Sequence, residues 1–148
     1  MNILLIHQYF LEEDDPGGSR WNEFTRVWSS QGHTITVLGG MMHYNGSEKR
    51  SEYKGKYFVQ KQQGGVTVWR CHVSEAYNRH FLGRLWGYFS FMFSALYAGL
   101  FKVRGRFDVV IVTSPPLFVG VTGYLVSRLK RMPFLFEVRD LWPESAID

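Results

Sequence analysis

Short runs of consecutive apolar or β-branched residues recur along the chain. Four of them are Asn2–His7, Thr34–Leu38, Phe107–Thr113 and Pro133–Val138. Strands that are buried on both faces of a parallel sheet have this pattern. The runs therefore predict four parallel strands, and the glycine pair 39–40 is expected to end the second one.

Helices are predicted between these strands. Apolar residues recur at helical spacing over Trp21–Trp28, with Ser19 as N-cap and Gly32 after the last turn. Two longer patterns predict helices at Phe81–Val103 and Leu117–Leu129. Strands that alternate with helices favour an α/β fold with a doubly wound, mostly parallel sheet.

A less regular region separates the second strand from the first long helix. Tyr57–Gln60 and Val66–His72 flank the glycine pair 64–65, which predicts a hairpin or a short pair of edge strands. The preceding stretch, Met42–Lys56, is polar and has no periodicity. It predicts a long mobile loop, a kind of segment that often serves function.

Composition is that of one ordinary folded domain. The chain has 148 residues, of which 45% are hydrophobic and 20% charged. Cys71 is the only cysteine, so an intrachain disulfide and a cysteine-rich metal site are excluded, and a reducing compartment is indicated. Because Met1 runs directly into a strand-like segment, a signal peptide is not expected. We therefore expect a cytoplasmic location.

Charge and aromatic content point to an anionic surface or ligand. The net charge is +4 and the pI is near 9.3. Leu85–Phe101 is apolar or small throughout, yet at about 26 Å as a helix it is too short to cross a bilayer. Two interpretations remain open: interfacial contact with an anionic membrane, or a core helix covered by the sheet and another domain. Nucleic acid is not expected, because no known binding motif is present.

Ligands of doubly wound sheets bind beyond the carboxyl ends of the strands, where a first candidate group follows the first strand. Its residues are His7, Tyr9, Gly17, Gly18 and Ser19. Paired glycines at a helix N-terminus let N–H groups approach a phosphate, although Pro-Gly-Gly is also a common turn. The sequence contains neither G-x-G-x-x-G nor a P-loop, so it is not that of a typical dinucleotide-binding dehydrogenase or P-loop NTPase.

A second candidate group follows the last two strands. Glu137 and Asp140 could accept a proton from a sugar hydroxyl or orient it, and Arg139 could hold a phosphate. The alternative is a structural Glu137–Arg139 ion pair with Asp140 as a loop cap. Ser114 either caps the following helix or lines the cleft. The histidines have no metal-ligand spacing, so no metal is expected.

Four stretches together resemble a known family. His7–Phe10, Gly17–Trp21, Gln31–Leu38 and Val138–Ser145 resemble, in order, the N-terminal domain of retaining GT-B glycosyltransferases of family 4. Arg139–Ser145 is the most specific piece. The resemblance is greatest to bacterial aminosugar transferases of surface-polysaccharide assembly, which act on lipid-linked acceptors.

The resemblance implies a two-domain enzyme, of which residues 1–148 are the acceptor-side, Rossmann-like α/β domain. A C-terminal domain, absent from this chain, would hold the nucleotide sugar, so this half alone would be inactive. Gly17 and Gly18 would approach the donor diphosphate, and Arg139 and Asp140 the reacting hydroxyl. No cofactor is implied, a UDP-sugar fits better than a GDP-sugar, and the inner face of the plasma membrane is the expected location. The alternative is a non-catalytic α/β module that binds nucleotides or polyanions.

Overall fold

One six-stranded sheet forms the centre of the fold. The computed structural model describes residues 1–42, 48–78 and 81–139. The strands run in the order β3-β4-β2-β1-β5-β6, and every neighbouring pair is parallel except β3–β4. They are β1 (Asn2–Ile6), β2 (Thr34–Gly40), β3 (Phe58–Gln63), β4 (Val66–Cys71), β5 (Val109–Thr113) and β6 (Phe134–Glu137). The predicted α/β class is confirmed.

Helices cover both faces of this sheet. They are α1 (Arg20–Ser30), α2 (Phe81–Tyr97), which continues in a π-helical turn over Ala98–Lys102, and α3 (Val119–Lys130). Short 3-10 helices lie at Ser51–Tyr53 and Glu75–Asn78. No helix in the described part of the chain is long and apolar enough to span a bilayer.

Strand β1 shows how one apolar run serves two cores. Leu4 and Ile6 pack in the core beneath α2 and α3, whereas Ile3 and Leu5 pack beneath α1 in a second core that contains Trp21. Successive side chains of a strand point to opposite faces, so a run that is apolar at every position is buried on both. Burial on both faces of the sheet, which the apolar run predicted, is therefore observed for β1.

The glycine pair 39–40 forms the last two residues of β2, so the strand ends at Gly40 and not before the pair. A Cβ at Gly39 would lie 3.1 Å from Nη1 of Arg70, and a Cβ at Gly40 would lie 2.7 Å from the carbonyl oxygen of Gln8. Glycine stands at both positions because neighbouring groups approach the strand closely there. The predicted end of the strand is therefore displaced by two residues, because both glycines still pair with β4.

Two other boundaries differ from the predictions. Helix α3 begins at Val119, not at Leu117. The predicted long loop is partly ordered by packing: Tyr53, in the 3-10 helix, is only 1% exposed, while residues 43–47 lie outside the described chain. The predicted hairpin is confirmed as β3 and β4 around the glycine pair 64–65, with β3 extending to Gln63.

Candidate functional site

The carboxyl ends of β1, β5 and β6 lie side by side, and Glu137 links them to α1. Thr113 Oγ1, at the end of β5, donates a hydrogen bond of 2.7 Å to Glu137 Oε2. Arg20, the first residue of α1, donates from Nη2 to Glu137 Oε1 and forms a salt bridge with it. Arg20 follows Gly18 by two residues, so this pair joins the two candidate groups of the sequence at one edge of the sheet.

Aromatic contacts fix the position of the Arg20 guanidinium. Its Cζ lies 5.8 Å from the ring centroids of both Trp21 and Phe24. An arginine above ring faces is attracted by their negative electrostatic potential and loses part of its freedom to move. Arg20 is therefore a positioned positive charge at the beginning of α1, where the helix dipole is also positive.

Glu137 is held in its ionised form. Partial burial alone would raise the pKa of its carboxyl, but the hydrogen bonds from Thr113 and Arg20, together with the charges of Arg20 and Arg139, lower it overall. A carboxylate with a lowered pKa is a weak base and a good hydrogen-bond acceptor. Glu137 is suited to orienting a hydroxyl or a guanidinium.

Ser114 connects the segments that follow β5 and β6. Its Oγ accepts a hydrogen bond of 2.9 Å from the backbone N–H of Arg139, and its own N–H donates to the carbonyl of Glu137 at 3.0 Å. The predicted alternative, that Ser114 caps the following helix, is wrong: α3 begins at Val119 with Phe118 in the N-cap position. Ser114 instead fixes the backbone that carries Arg139.

The side chain of Arg139 is exposed and forms no salt bridge with a residue whose placement is described. The alternative Glu137–Arg139 ion pair is not formed, because Glu137 pairs with Arg20. Arg139 thus presents an uncommitted guanidinium at the strand-end edge. Asp140, the other predicted catalytic residue, lies outside the described residues.

His7, directly after β1, is buried beside these charges. Its ring meets that of Tyr9 edge to face, with centroids 6.5 Å apart. Nδ1 of His7 and Oε1 of the adjacent Gln8 have no hydrogen-bond partner within the described chain. Burial, then the positive charge of Arg139, lowers the pKa of His7 to about 4, against a smaller opposing effect of Glu137. His7 is consequently a neutral imidazole at physiological pH.

Acidification is expected to destabilise the protein through His7. Between pH 6.5 and 4 the unfolded chain binds more protons at this residue than the folded chain does. Its contribution to stability is therefore complete above pH 6.5 and is lost as the pH falls towards 4, with about 2 kcal/mol gone by pH 5. Urea unfolding at pH 7 and pH 5 should show a smaller difference for His7→Gln than for the parent. Equal differences would show that His7 does not carry this pH dependence.

The loop before α1 has an open approach to its glycines. No atom lies within 4 Å of a Cβ built on Gly17 or Gly18. Gly17 has a φ of 94°, so its backbone conformation alone explains a glycine there, whereas Gly18 has no such requirement. Ser19 occupies the N-cap position, and its carbonyl accepts the N–H of Glu23, but its hydroxyl makes no capping bond.

One side of this loop borders a cleft of about 260 Å³ that is acidic. Gly17, Gly18 and Ser19 are part of its lining. The charged residues of the lining are four acids, Glu12, Glu13, Asp15 and Glu23, and one base, Arg26. Carboxylates repel a phosphate, so this cleft does not suit one. Arg20, the cation paired with Glu137, is not among the residues that line this cleft.

A buried polar cluster beneath this loop escaped the sequence analysis. Arg70, on β4, is 1% exposed. Its guanidinium donates to the carbonyls of Leu11 at 3.1 Å and Gly40 at 3.3 Å, to that of Phe10, and to Gln63 Oε1 at 3.2 Å. These bonds attach the start of the β1–α1 loop to the sheet.

Glu12 provides the negative charge of this cluster. Arg70 Nε lies 2.9 Å from Glu12 Oε1, close enough for an ion pair but without hydrogen-bond alignment. Lys61 Nζ donates to Glu12 Oε2 at 3.0 Å, and the hydroxyl of Tyr53 donates to Oε1. Burial, then the bond to Glu12, raises the pKa of Tyr53. The carboxylate is thus satisfied by three partners from other parts of the chain.

A signal for this cluster exists in the sequence. Val66, Val68 and Arg70 are alternate residues of β4 and share one face of the strand. Both valines are buried, so the period of two places an arginine where an apolar residue belongs. An arginine at such a position indicates a buried ion pair, because an unpaired buried charge is too costly.

Metal and thiol chemistry have little basis at this edge. Within residues 1–42, 48–78 and 81–139, no group of three or more histidine, cysteine or acidic side chains is arranged to hold a metal ion. Cys71 is fully buried, and burial raises the pKa of its thiol, which disfavours the reactive thiolate.

An open, mostly parallel sheet with helices on both faces defines a doubly wound α/β domain. Residues 17–148 match the model of the glycosyl transferase 4-like domain. The chain belongs to this family, and the GT-B, family 4 type predicted from the sequence is confirmed at that level.

One curated protein is similar to this chain in sequence, and one solved structure is similar to it in fold. The chain is 24% identical over 140 residues to an Escherichia coli (strain K12) protein named "Putative colanic acid biosynthesis glycosyl transferase WcaI". The match covers 95% of this chain and 34% of that protein, so the chain spans about a third of its relative's length. A solved structure described as "Trehalose-6-phosphate from E. coli bound with UDP-2-fluoro glucose" has the same fold, with a TM-score of 0.50 and 10% identity over 92% of this chain and 32% of the other.

Proposed function

We propose that this domain is the acceptor-side half of a two-domain, retaining glycosyltransferase that transfers a sugar from a nucleotide to a lipid-linked saccharide. The family assignment supports sugar transfer. The length of the WcaI relative supports a second domain, which would hold most of the nucleotide sugar. The aminosugar and the polysaccharide pathway are part of this proposal, as is a location on the inner face of the plasma membrane.

The Arg20–Glu137 ion pair is the observation on which this proposal depends. It brings the Gly17–Gly18 loop and the β6 end, which carries Arg139, to the same edge. Two guanidiniums and free N–H groups at a helix start can stabilise the charge that develops on a leaving diphosphate. A sheet edge with these groups suits the donor phosphates on one side and a neutral hydroxyl acceptor on the other.

Each residue has a proposed role at this edge of the sheet. Gly17, Gly18 and Ser19 approach the diphosphate together with Arg20. Arg139 binds the leaving diphosphate or the acceptor, and ionised Glu137 holds Arg20 in place. The leaving phosphate itself assists deprotonation of the acceptor hydroxyl, so no protein nucleophile is needed.

The remaining predicted residues shape the acceptor side. His7, Tyr9 and Ser114 lie on the acceptor side, where the neutral imidazole of His7 adds no charge. Asp140 keeps its sequence-based role next to the reacting hydroxyl. No cofactor is needed beyond the substrate, for which a UDP-sugar is favoured over a GDP-sugar.

Transfer by the full-length protein tests this function. Purified protein would be incubated with a panel of radiolabelled UDP- and GDP-sugars and with bacterial lipid-linked saccharides, and label in the lipid fraction would be counted. Transfer from one UDP-sugar, with retention of anomeric configuration, is the expected result. Tight nucleotide binding without transfer from any donor would instead favour the non-catalytic nucleotide- or polyanion-binding module.

A further inference from the structure

One face of α2 and its π-helical continuation is an exposed aromatic stripe. Its residues are 48–67% exposed: Leu82, Trp86, Phe93, Tyr97 and Phe101. The opposite face carries Phe91, Ala95 and Ala98, which are fully buried in the core. Because the core already holds the helix in place, the exposed face is not required for that packing.

The stripe is large for an uncovered surface. Five such side chains at this exposure present about 600 Å² of largely apolar area, at the upper end of the largest patches of ordinary monomers. Patches of this size on stable proteins usually contact a partner or a membrane. We therefore expect another molecule or a membrane to cover the stripe.

Charge around the stripe selects an anionic occupant. The sequence contains no aspartate or glutamate between Glu75 and Asp108, and it contains five cationic residues there. Of these, Arg84, Lys102, Arg104 and Arg106 are exposed in the described chain. Tryptophan and tyrosine beside lysine and arginine, with no carboxylate, is the composition of helices that lie in the interface of acidic membranes.

Lys102 shows how a cation is placed at the edge of this surface. Its Nζ lies 5.8 Å from the ring centroid of Phe58, which is stacked on Tyr97 at 5.5 Å. The ammonium thus lies over the Phe58 ring at the edge of the stripe, in an exposed side chain. Such a cation can meet lipid headgroups while the rings next to it enter the acyl boundary.

The stripe also reaches the side of the sheet where the candidate site lies. Ser94 Oγ donates a hydrogen bond of 2.8 Å to the carbonyl of His72, the residue that follows β4. Since α2 runs back from the end of β4 to the start of β5, the residues before Ser94 extend past the strand ends. Leu82 and Trp86 therefore lie on the same side as the carboxyl ends of the parallel strands.

We propose that this aromatic stripe docks the protein on an anionic lipid surface, with the helix axis parallel to the membrane. Rings of the stripe enter the interface, and Arg84, Lys102 and Arg104 contact the headgroups. The carboxyl ends of the strands then lie close to the membrane surface, at the height of the sugar of a lipid-linked acceptor. That last consequence rests on the proposed lipid-linked acceptor, whereas docking itself does not.

Vesicle sedimentation of the full-length protein tests the docking. Vesicles of phosphatidylcholine alone and of phosphatidylcholine with 40% phosphatidylglycerol (about 0.4 mole fraction) would be compared at about 0.05 M and 0.5 M salt, which differ severalfold in screening length. Binding is expected to the anionic vesicles at low salt, with at least a tenfold weakening at high salt. Binding needs neither donor nor acceptor, so its failure leaves the proposed transfer reaction untouched.

Matched variants locate the surface. Trp86→Ser with Phe93→Ser is expected to weaken vesicle binding at least tenfold, because two rings no longer enter the interface. Tyr124→Ser with Leu129→Ser removes two side chains of similar exposure from α3 and should leave binding unchanged. Melting temperatures of both pairs show whether either change disturbs the fold.

Charge reversal gives a second test that avoids the apolar face. Arg84→Glu with Arg104→Glu should weaken binding at least tenfold, whereas Arg128→Glu on α3 should have little effect. The proposal is overturned if the full-length parent does not bind anionic vesicles, or if the stripe variants bind as the parent does. A loss of melting temperature in the Trp86 and Phe93 pair without any vesicle binding by the parent would show that the rest of the chain covers the stripe.

Discussion

Replacing Arg70 with methionine is expected to lower the free energy of unfolding by about 3–5 kcal/mol. Methionine fills much of the same volume but leaves the carboxylate of Glu12 without its closest positive partner. The carbonyl of Phe10 also loses a buried donor, and an unsatisfied buried group is costly. Urea unfolding monitored by tryptophan fluorescence would measure the change.

Arg26→Met is the matched control for Arg70→Met. Arg26 pairs with Glu23 on the exposed surface of α1, where both side chains are more than half exposed. Surface pairs of this kind contribute little, so the change should stay within about 0.5 kcal/mol. A loss below about 1 kcal/mol in Arg70→Met would mean that the buried cluster does not hold the loop. Adding Glu12→Leu should restore part of the loss, because the unpaired charge is then removed.

Replacing Arg139 with methionine in the full-length protein is expected to lower kcat by about 10²–10³-fold, with little change in melting temperature. The guanidinium is exposed and free of salt bridges to described residues, so its removal disturbs no visible packing. The backbone N–H that bonds to Ser114 is retained in the variant. What is lost is a positive charge at the place where charge develops in the proposed reaction.

Steady-state kinetics with the donor found active would measure this effect, and Arg26→Met again serves as the control arginine. The control should retain the parent's kcat, because Arg26 lies on the acidic side of the glycine loop. A kcat close to that of the parent in Arg139→Met would remove this residue from the mechanism. An equal loss of melting temperature and activity would assign it a structural role.

The class of fold could be predicted because its determinants are local. Residues Ile3–Ile6 are apolar at every position, which is typical of a strand covered on both faces. The hairpin was equally accessible, since the glycine pair 64–65 marks a turn between two strand-like segments. Ends of elements were less accurate, as at Val119, because the terminal turns of a helix depend on packing.

The candidate site was predicted in part for a related reason. Strand ends identify which residues lie at the edge, so His7, Ser114, Glu137 and Arg139 could be selected from the order of strands alone. Their partners could not. Ser114 bonds to Arg139 across 25 positions, and Glu137 pairs with Arg20 across 117. Such contacts are set by which strands become neighbours, and no local pattern records this.

By itself, the sequence determined the α/β class, the alternation of strands and helices, and the edge of the sheet at which chemistry is placed. Those features follow from the period of apolar side chains, a property of each segment alone. Tertiary structure decided that Gly39 and Gly40 belong to β2, that Arg70 is buried over Glu12, and that α2 leaves an aromatic face uncovered. Each of these depends on the space and charge that other segments supply, and that is known only once the chain has folded.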